Sequence, residues 1–192
     1  MLMEGADYET TAAELPRLTE ADDEVVELFW YGCHHCKRIE PVLEQWLENK
    51  PDAIGFTRLP AVFSARWEPL ARAYFAAQEL GVLDRTHSAL FEAIHDDGRS
   101  LNSADRLADF FSEQGVDRDE FESVYSGFSV DSQVRKAAWY SRRSGIRGVP
   151  ALVINGTYRT SGRLAGGYEA MFQVAETLAQ SASVDSASND TP

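Results

Sequence analysis

The spacing of apolar positions changes twice along the chain. Val25-Val26-Glu27-Leu28-Phe29-Trp30-Tyr31 is a β-branched and aromatic run carrying one acid, which predicts a buried central strand. Gly32 ends it. Lys37 to Asn49 then reads as a helix, with Ile39, Val42, Leu43, Trp46 and Leu47 on one face and Pro41 inside it, where a kink is expected. Ile54 to Leu59 predicts a second strand. From about Ser64 the spacing is helical for some seventy residues. Leu70, Ala73, Tyr74, Ala77 and Leu80 mark one helix, ended by Gly81; Leu90, Phe91 and Ile94 mark another, stopped near Gly98. Ser103 is placed to cap a third helix, and Asp117 with Glu120 resembles a capping box for a fourth. A longer helix is expected from about Val130 to Ser144.

Strand character returns at Ala151-Leu152-Val153-Ile154. Asn155-Gly156 predicts a two-residue hairpin turn, with Thr157 to Thr160 as the return strand. A last helix carries Tyr168, Met171, Ala175 and Leu178, and a Ser-, Asp- and Ala-rich tail is expected to be disordered from about Ser181. Residues 1–23 are polar and mixed and read as a loosely held lead-in. This order predicts an α/β domain (1–63 and 131–192) interrupted by a helical subdomain (64–130).

A chain of 192 residues with 44% apolar residues can bury a core. Acidic residues outnumber basic ones by 31 to 18, a formal charge of -13, which argues against nucleic acid or an anionic membrane as main partner. Solubility is the plain reading of that acidity, and adaptation to a saline habitat a second. No apolar run is long enough to span a membrane, and the first twenty residues have no signal-peptide pattern. The expectation is either a cytosolic protein or one whose signal has been removed. No added interface segment is visible, so a monomer is expected.

Only two cysteines occur, Cys33 and Cys36. A bridge between them closes too small a loop to staple a fold, so chemistry explains them better. Cys-x-x-Cys at the start of a helix after a buried strand suits dithiol redox work. Unpaired N–H groups and the helix dipole favour a thiolate at Cys33, the attacking species. Cys36, one turn on, is placed to resolve a mixed disulfide. His35, by charge or hydrogen bond, would favour the thiolate further. A zinc site built on Cys33, Cys36 and a histidine is disfavoured, because the adjacent His34 and His35 diverge and structural zinc wants four spaced ligands. No metal and no cofactor beyond the Cys33–Cys36 disulfide is expected. His87 and His95 read as ordinary surface or boundary residues. Glu27 is costly inside an apolar strand unless paired or neutral. It is either a satisfied structural acid or a proton acceptor and donor for Cys36. Pro150, after Val149, either starts a strand or forms a cis bond.

Phe29-Trp30-Tyr31-Gly32-Cys33-His34-His35-Cys36, with Arg147-Gly148-Val149-Pro150-Ala151 and Asn155-Gly156-Thr157-Tyr158, closely resembles the DsbA family of bacterial periplasmic dithiol oxidases. The resemblance runs from about Val25 to Leu178. It implies a thioredoxin fold with an inserted helical subdomain, Cys33 as nucleophile and Cys36 as resolving thiol. It implies a cis Pro150 that borders the substrate groove with Val149, and it matches Glu27 to the family's buried acid. Glu40 and Arg58 match positions of a second acid and a base near the motif. Implied partners are reduced, newly exported proteins and a DsbB-like membrane oxidase, and the implied location is the periplasm. One departure stands out: His34 replaces the family's usual proline, which removes a fixed φ and restores a backbone N–H. Two rival readings are a reductase or isomerase of the same fold, and a non-enzymatic peptide- or metal-binding module.

Overall fold

The structure, a computed structural model, describes residues 1–188. It divides into two compact units: a sheet unit of Met1–Phe29, Arg38–Leu59 and the chain from Tyr140 onward, and a helical unit of Trp30–Lys37 and Pro60–Trp139. The insertion was expected over 64–130; the helical unit also takes in the cysteine motif and reaches Trp139.

Among the described residues the sheet has five strands: β1 (Glu9–Thr10), β2 (Asp23–Phe29), β3 (Ile54–Pro60), β4 (Ala151–Ile154) and β5 (Tyr158–Ser161), in the order β1-β5-β4-β2-β3. Every residue of β2 is buried, as its continuous apolar run requires. β2 and β4 are antiparallel, with Glu27 opposite Leu152 and Leu28 opposite Ala151. The β4–β5 hairpin pairs Ile154 with Tyr158, so its connection holds Asn155, Gly156 and Thr157. Asn155 and Gly156 both have positive φ (51° and 66°), the conformation for which this dipeptide is suited. A Cβ on Gly156 would also lie 2.2 Å from the Leu15 carbonyl oxygen.

That contact belongs to a segment read too loosely from sequence. Residues 1–23 are not a slack lead-in. Glu9 and Thr10 pair with Arg159 and Tyr158 at the sheet edge, the Leu15 N–H donates to the Gly156 carbonyl (3.0 Å), and Leu15 is buried. The reason is the open edge of β5, whose backbone groups need partners that polar residues can supply as well as apolar ones.

Helix α1 (His34–Asn49) passes from the helical unit into the sheet unit with Pro41 inside it. Its Ile39 and Leu43 join Val25, Ile54, Leu152 and Phe172 in the core of the sheet unit, and Val42, Trp46 and Leu47 pack against it. The helical unit holds α2 (Glu68–Glu79), α3 (Leu83–His95), α4 (Ala104–Glu113), α5 (Arg118–Tyr125) and the first part of α6 (Phe128–Ser144). The caps are those expected: Ser103 accepts from the Arg106 N–H and Asp117 from the Glu120 N–H (3.0 Å). Phe111 stacks on Phe121 at 4.4 Å in this unit's core. In the sheet unit, α7 (Gly162–Ala165) is a single turn, and α8 (Tyr168–Ser188) packs on β2, β4 and β5. The tail expected from Ser181 therefore begins inside α8, and residues 189–192 lie outside the described residues. Among the described residues no helix is long and apolar enough to cross a membrane.

Candidate active site

The site starts where β2 ends. Trp30 to Cys33 form a turn in which the Cys33 N–H donates to the Trp30 carbonyl (2.9 Å). Helix α1 follows at once: the Cys36 and Lys37 N–H groups donate to the Cys33 carbonyl (3.1 and 3.3 Å). Cys33 therefore caps the helix, with its side chain beside the first N–H groups of α1, those of His35 and Cys36. Cys33 is partly exposed and Cys36 is buried. His34 and His35 are exposed, their rings 4.9 Å apart.

This arrangement lowers the Cys33 thiol from its ordinary 9.0 to about 6. The largest cause is a hydrogen bond from the Cys36 side chain. Burial opposes it, while the backbone N–H groups of Cys36 and His35, then the charge of His35, add to it. A thiol that titrates near 6 is mostly thiolate at neutral pH.

In the sheet unit the structure brings together Glu27, Glu40 and Arg58. Arg58 donates to Glu40 (2.7 Å) and its Nε lies 3.5 Å from the Glu27 carboxylate. Glu27 is fully buried. Its carboxyl is pushed up from 4.5 to about 8, first by burial, then by the charge of Glu40, with Arg58 pulling the other way. The Glu40–Arg58 pair matched from sequence is thus largely shielded, and Arg58 also faces the buried acid Glu27. Also in this unit, the Val149–Pro150 bond is cis, and Pro150 precedes Ala151, the partner of Leu28 near the end of β2.

Sequence reasoning missed the residues that hold the motif within the helical unit. His87 is buried, not a boundary residue, and its Nδ1 shares a hydrogen bond with the Tyr31 hydroxyl (2.7 Å). His95 Nε2 donates to the Tyr31 carbonyl (2.7 Å). Lys37 pairs with Asp96. Trp30 stacks on Trp67 at 4.4 Å and covers Gly32, where a Cβ would lie 2.4 Å from the Trp30 ring. The eight-residue spacing of His87 and His95, with Phe91 midway, was the available signal: it puts all three on one helix face.

A buried strand, a Cys-x-x-Cys helix start with a depressed first thiol, and a cis proline beside the sheet define a thioredoxin-fold dithiol–disulfide oxidoreductase. Comparison with known proteins narrows the class. The model of the DSBA-like thioredoxin domain matches residues 24–179. The thiol:disulfide interchange protein DsbA of Azotobacter vinelandii is 38% identical over 174 residues, covering 91% of this chain and 81% of that protein. Its namesake in Pseudomonas aeruginosa is 37% identical with 91% and 82% covered. The crystal structure of Pseudomonas aeruginosa DsbA superposes with a TM-score of 0.89 at 35% identity, covering 95% of each chain. The oxidoreductase DsbA from Xylella fastidiosa does so with a TM-score of 0.87 at 33% identity, covering 95% of this chain and 98% of that one. The chain belongs to the DSBA-like thioredoxin domain family, and its activity is that of a DsbA-type thiol:disulfide oxidoreductase.

Proposed function

We propose that the Cys33–Cys36 pair is a disulfide donor to reduced, newly exported proteins in the periplasm, recharged by a DsbB-like membrane oxidase. The observation that carries this reading is the depressed Cys33 thiol beside a buried Cys36. Lowering the thiol pKa stabilises the reduced pair relative to the disulfide, and so strengthens the disulfide as an oxidant.

In the forward reaction a substrate thiolate attacks Cys33 Sγ of the disulfide. The S–S bond breaks, and Cys36 leaves with the electron pair and takes a proton. A second substrate thiolate then attacks the substrate sulfur of the mixed disulfide, and Cys33 leaves as a thiolate. The substrate dithiol has lost two electrons and the Cys33–Cys36 pair has gained them. Cys33 leaves readily because its thiol pKa is depressed. Glu27 is the proton acceptor and donor for this cycle in the family reading. Its burial and its titration near 8 support that role, since such a carboxyl exchanges a proton near neutral pH. Val149 and Pro150 are the substrate-groove residues in the same reading, supported by the cis bond between them. Glu40 and Arg58 act on Glu27 through charge.

The test is the reduction potential of the pair, obtained by equilibration with glutathione and read by Trp fluorescence, alongside oxidation of a reduced, unfolded substrate protein. A potential well above that of thioredoxin, with oxidation abolished in Cys33→Ser, is expected. A potential as low as thioredoxin's would turn the assignment toward a reductase.

A further inference from the structure

The turn that delivers Cys33 has two conformations open to it. Tyr31 and Gly32 occupy its central positions, between Trp30 and Cys33. Glycine in the second central position admits the positive φ of a type II turn, which differs from type I by a rotation of roughly 180° of the central peptide. Gly32 is not in the left-handed region here, so the type II form is not the one adopted. Local sequence does not explain that choice, since Gly32 permits either.

The helical unit does explain it. His95 donates from Nε2 to the Tyr31 carbonyl, the oxygen of the central peptide, at 2.7 Å. In the rotated turn that oxygen points the other way and the bond is lost. The same face of α3 fixes the rest of Tyr31: His87 bonds its hydroxyl at 2.7 Å, and the Phe91 ring meets its ring edge-on at 4.8 Å. Asp96, which caps α3, pairs with Lys37 just after Cys36. The C-terminal turn of one helix thus holds the motif on both flanks. A carbonyl only accepts, so His95 carries hydrogen on Nε2 in the neutral ring and in the imidazolium alike.

We propose that His95 is a positioning residue for the redox reaction, selecting the turn conformation that sets Cys33 against the first N–H groups of α1. It rests on the reading of the Cys33–Cys36 pair as the redox centre. Cys33 is stabilised as thiolate by the Cys36 side chain and by N–H groups of His35 and Cys36. Their reach to Cys33 Sγ depends on the Cys33 backbone, and that backbone is aimed by the turn.

The experiment compares His95→Leu with His95→Gln, which keeps an N–H donor. Nuclear Overhauser contacts between Tyr31 and Gly32 report the turn: amide to amide in type I, Tyr31 Hα to Gly32 amide in type II. The Cys33 thiolate titration and the glutathione equilibrium report the consequence. His95→Leu is expected to populate the type II pattern, raise the Cys33 pKa and lower the oxidising equilibrium constant by about two- to ten-fold, the worth of one net hydrogen bond. His95→Gln is expected to restore all three. Should His95→Leu not fold, His95→Asn replaces it, since its shorter amide does not reach the carbonyl. A folded variant lacking the donor that keeps the original turn, titration and equilibrium overturns the inference. A wild-type protein that fails to oxidise dithiols overturns the functional reading instead, while the turn readout still decides the role of His95.

Discussion

Cys36 does two things at once, and a substitution separates them. In the proposed cycle it resolves mixed disulfides, and its thiol is the largest single cause of the lowered Cys33 pKa. The shift from 9.0 to about 6 leaves Cys33 about ten parts thiolate to one part thiol at pH 7. Ionisation then stabilises the reduced protein by about 1.4 kcal/mol at that pH, equivalent to about 30 mV for two electrons. Cys33 is partly exposed, so solvent screening makes this an upper value. The sign follows from the direction of the shift. A depressed pKa contributes fully above pH 9, where even the unfolded thiol ionises, and its contribution is lost as the pH falls through 6. Cys36→Ala removes the donor, while Cys36→Ser replaces S–H with O–H. The thiolate titration, followed by ultraviolet absorbance and by alkylation rate against pH, is expected to move from about 6 toward 9 in Cys36→Ala and much less in Cys36→Ser. Both variants titrating together near 6 would refute the assignment to the side-chain hydrogen bond. It would leave the helix N–H groups as the cause.

Glu27, raised to about 8, carries the opposite sign: its contribution to stability is fully present below the ordinary 4.5 and is lost as pH rises through 8. Glu27→Gln is therefore expected to gain melting temperature relative to wild type at pH 8.5 and to match it near pH 4; a gain independent of pH would contradict the cause given. Arg58→Met strips the cation from between two buried carboxyls, and urea denaturation is expected to show a loss of about 3 kcal/mol at neutral pH, against a negligible loss if the pairs are solvated. Gly32→Ala places a Cβ 2.4 Å from the Trp30 ring. The ring must leave its stack on Trp67, so altered Trp fluorescence and a loss of about 1–3 kcal/mol are expected, and an unchanged spectrum would contradict that displacement.

The features legible in sequence share a physical basis: each is a local rule with few exceptions. A seven-residue buried strand needs a continuous apolar run, Ser103 and Asp117 cap helices through their own side chains, and Asn155-Gly156 makes a left-handed turn cheaply. The features that escaped depend on distant partners. β1 is two polar residues whose strand character comes from the exposed backbone of β5, and α7 is one turn with no buried residue. His87 and His95 share a helix face with Phe91, but the turn that face holds lies more than fifty residues away and α3 does not name it.

Glu27 shows where the two kinds of reasoning meet. It was legible as an anomaly, because an acid in an apolar strand violates burial. What the anomaly does depends on Glu40 and Arg58, which the strand itself does not reveal. With Arg58 nearer to Glu40 (2.7 Å) than to Glu27 (3.5 Å), the cation serves Glu40 first. Glu27 keeps the burial cost and the repulsion of its neighbour, and its pKa rises rather than falls. Burial is the larger cause of that rise, and the longer contact with Arg58 leaves it uncompensated.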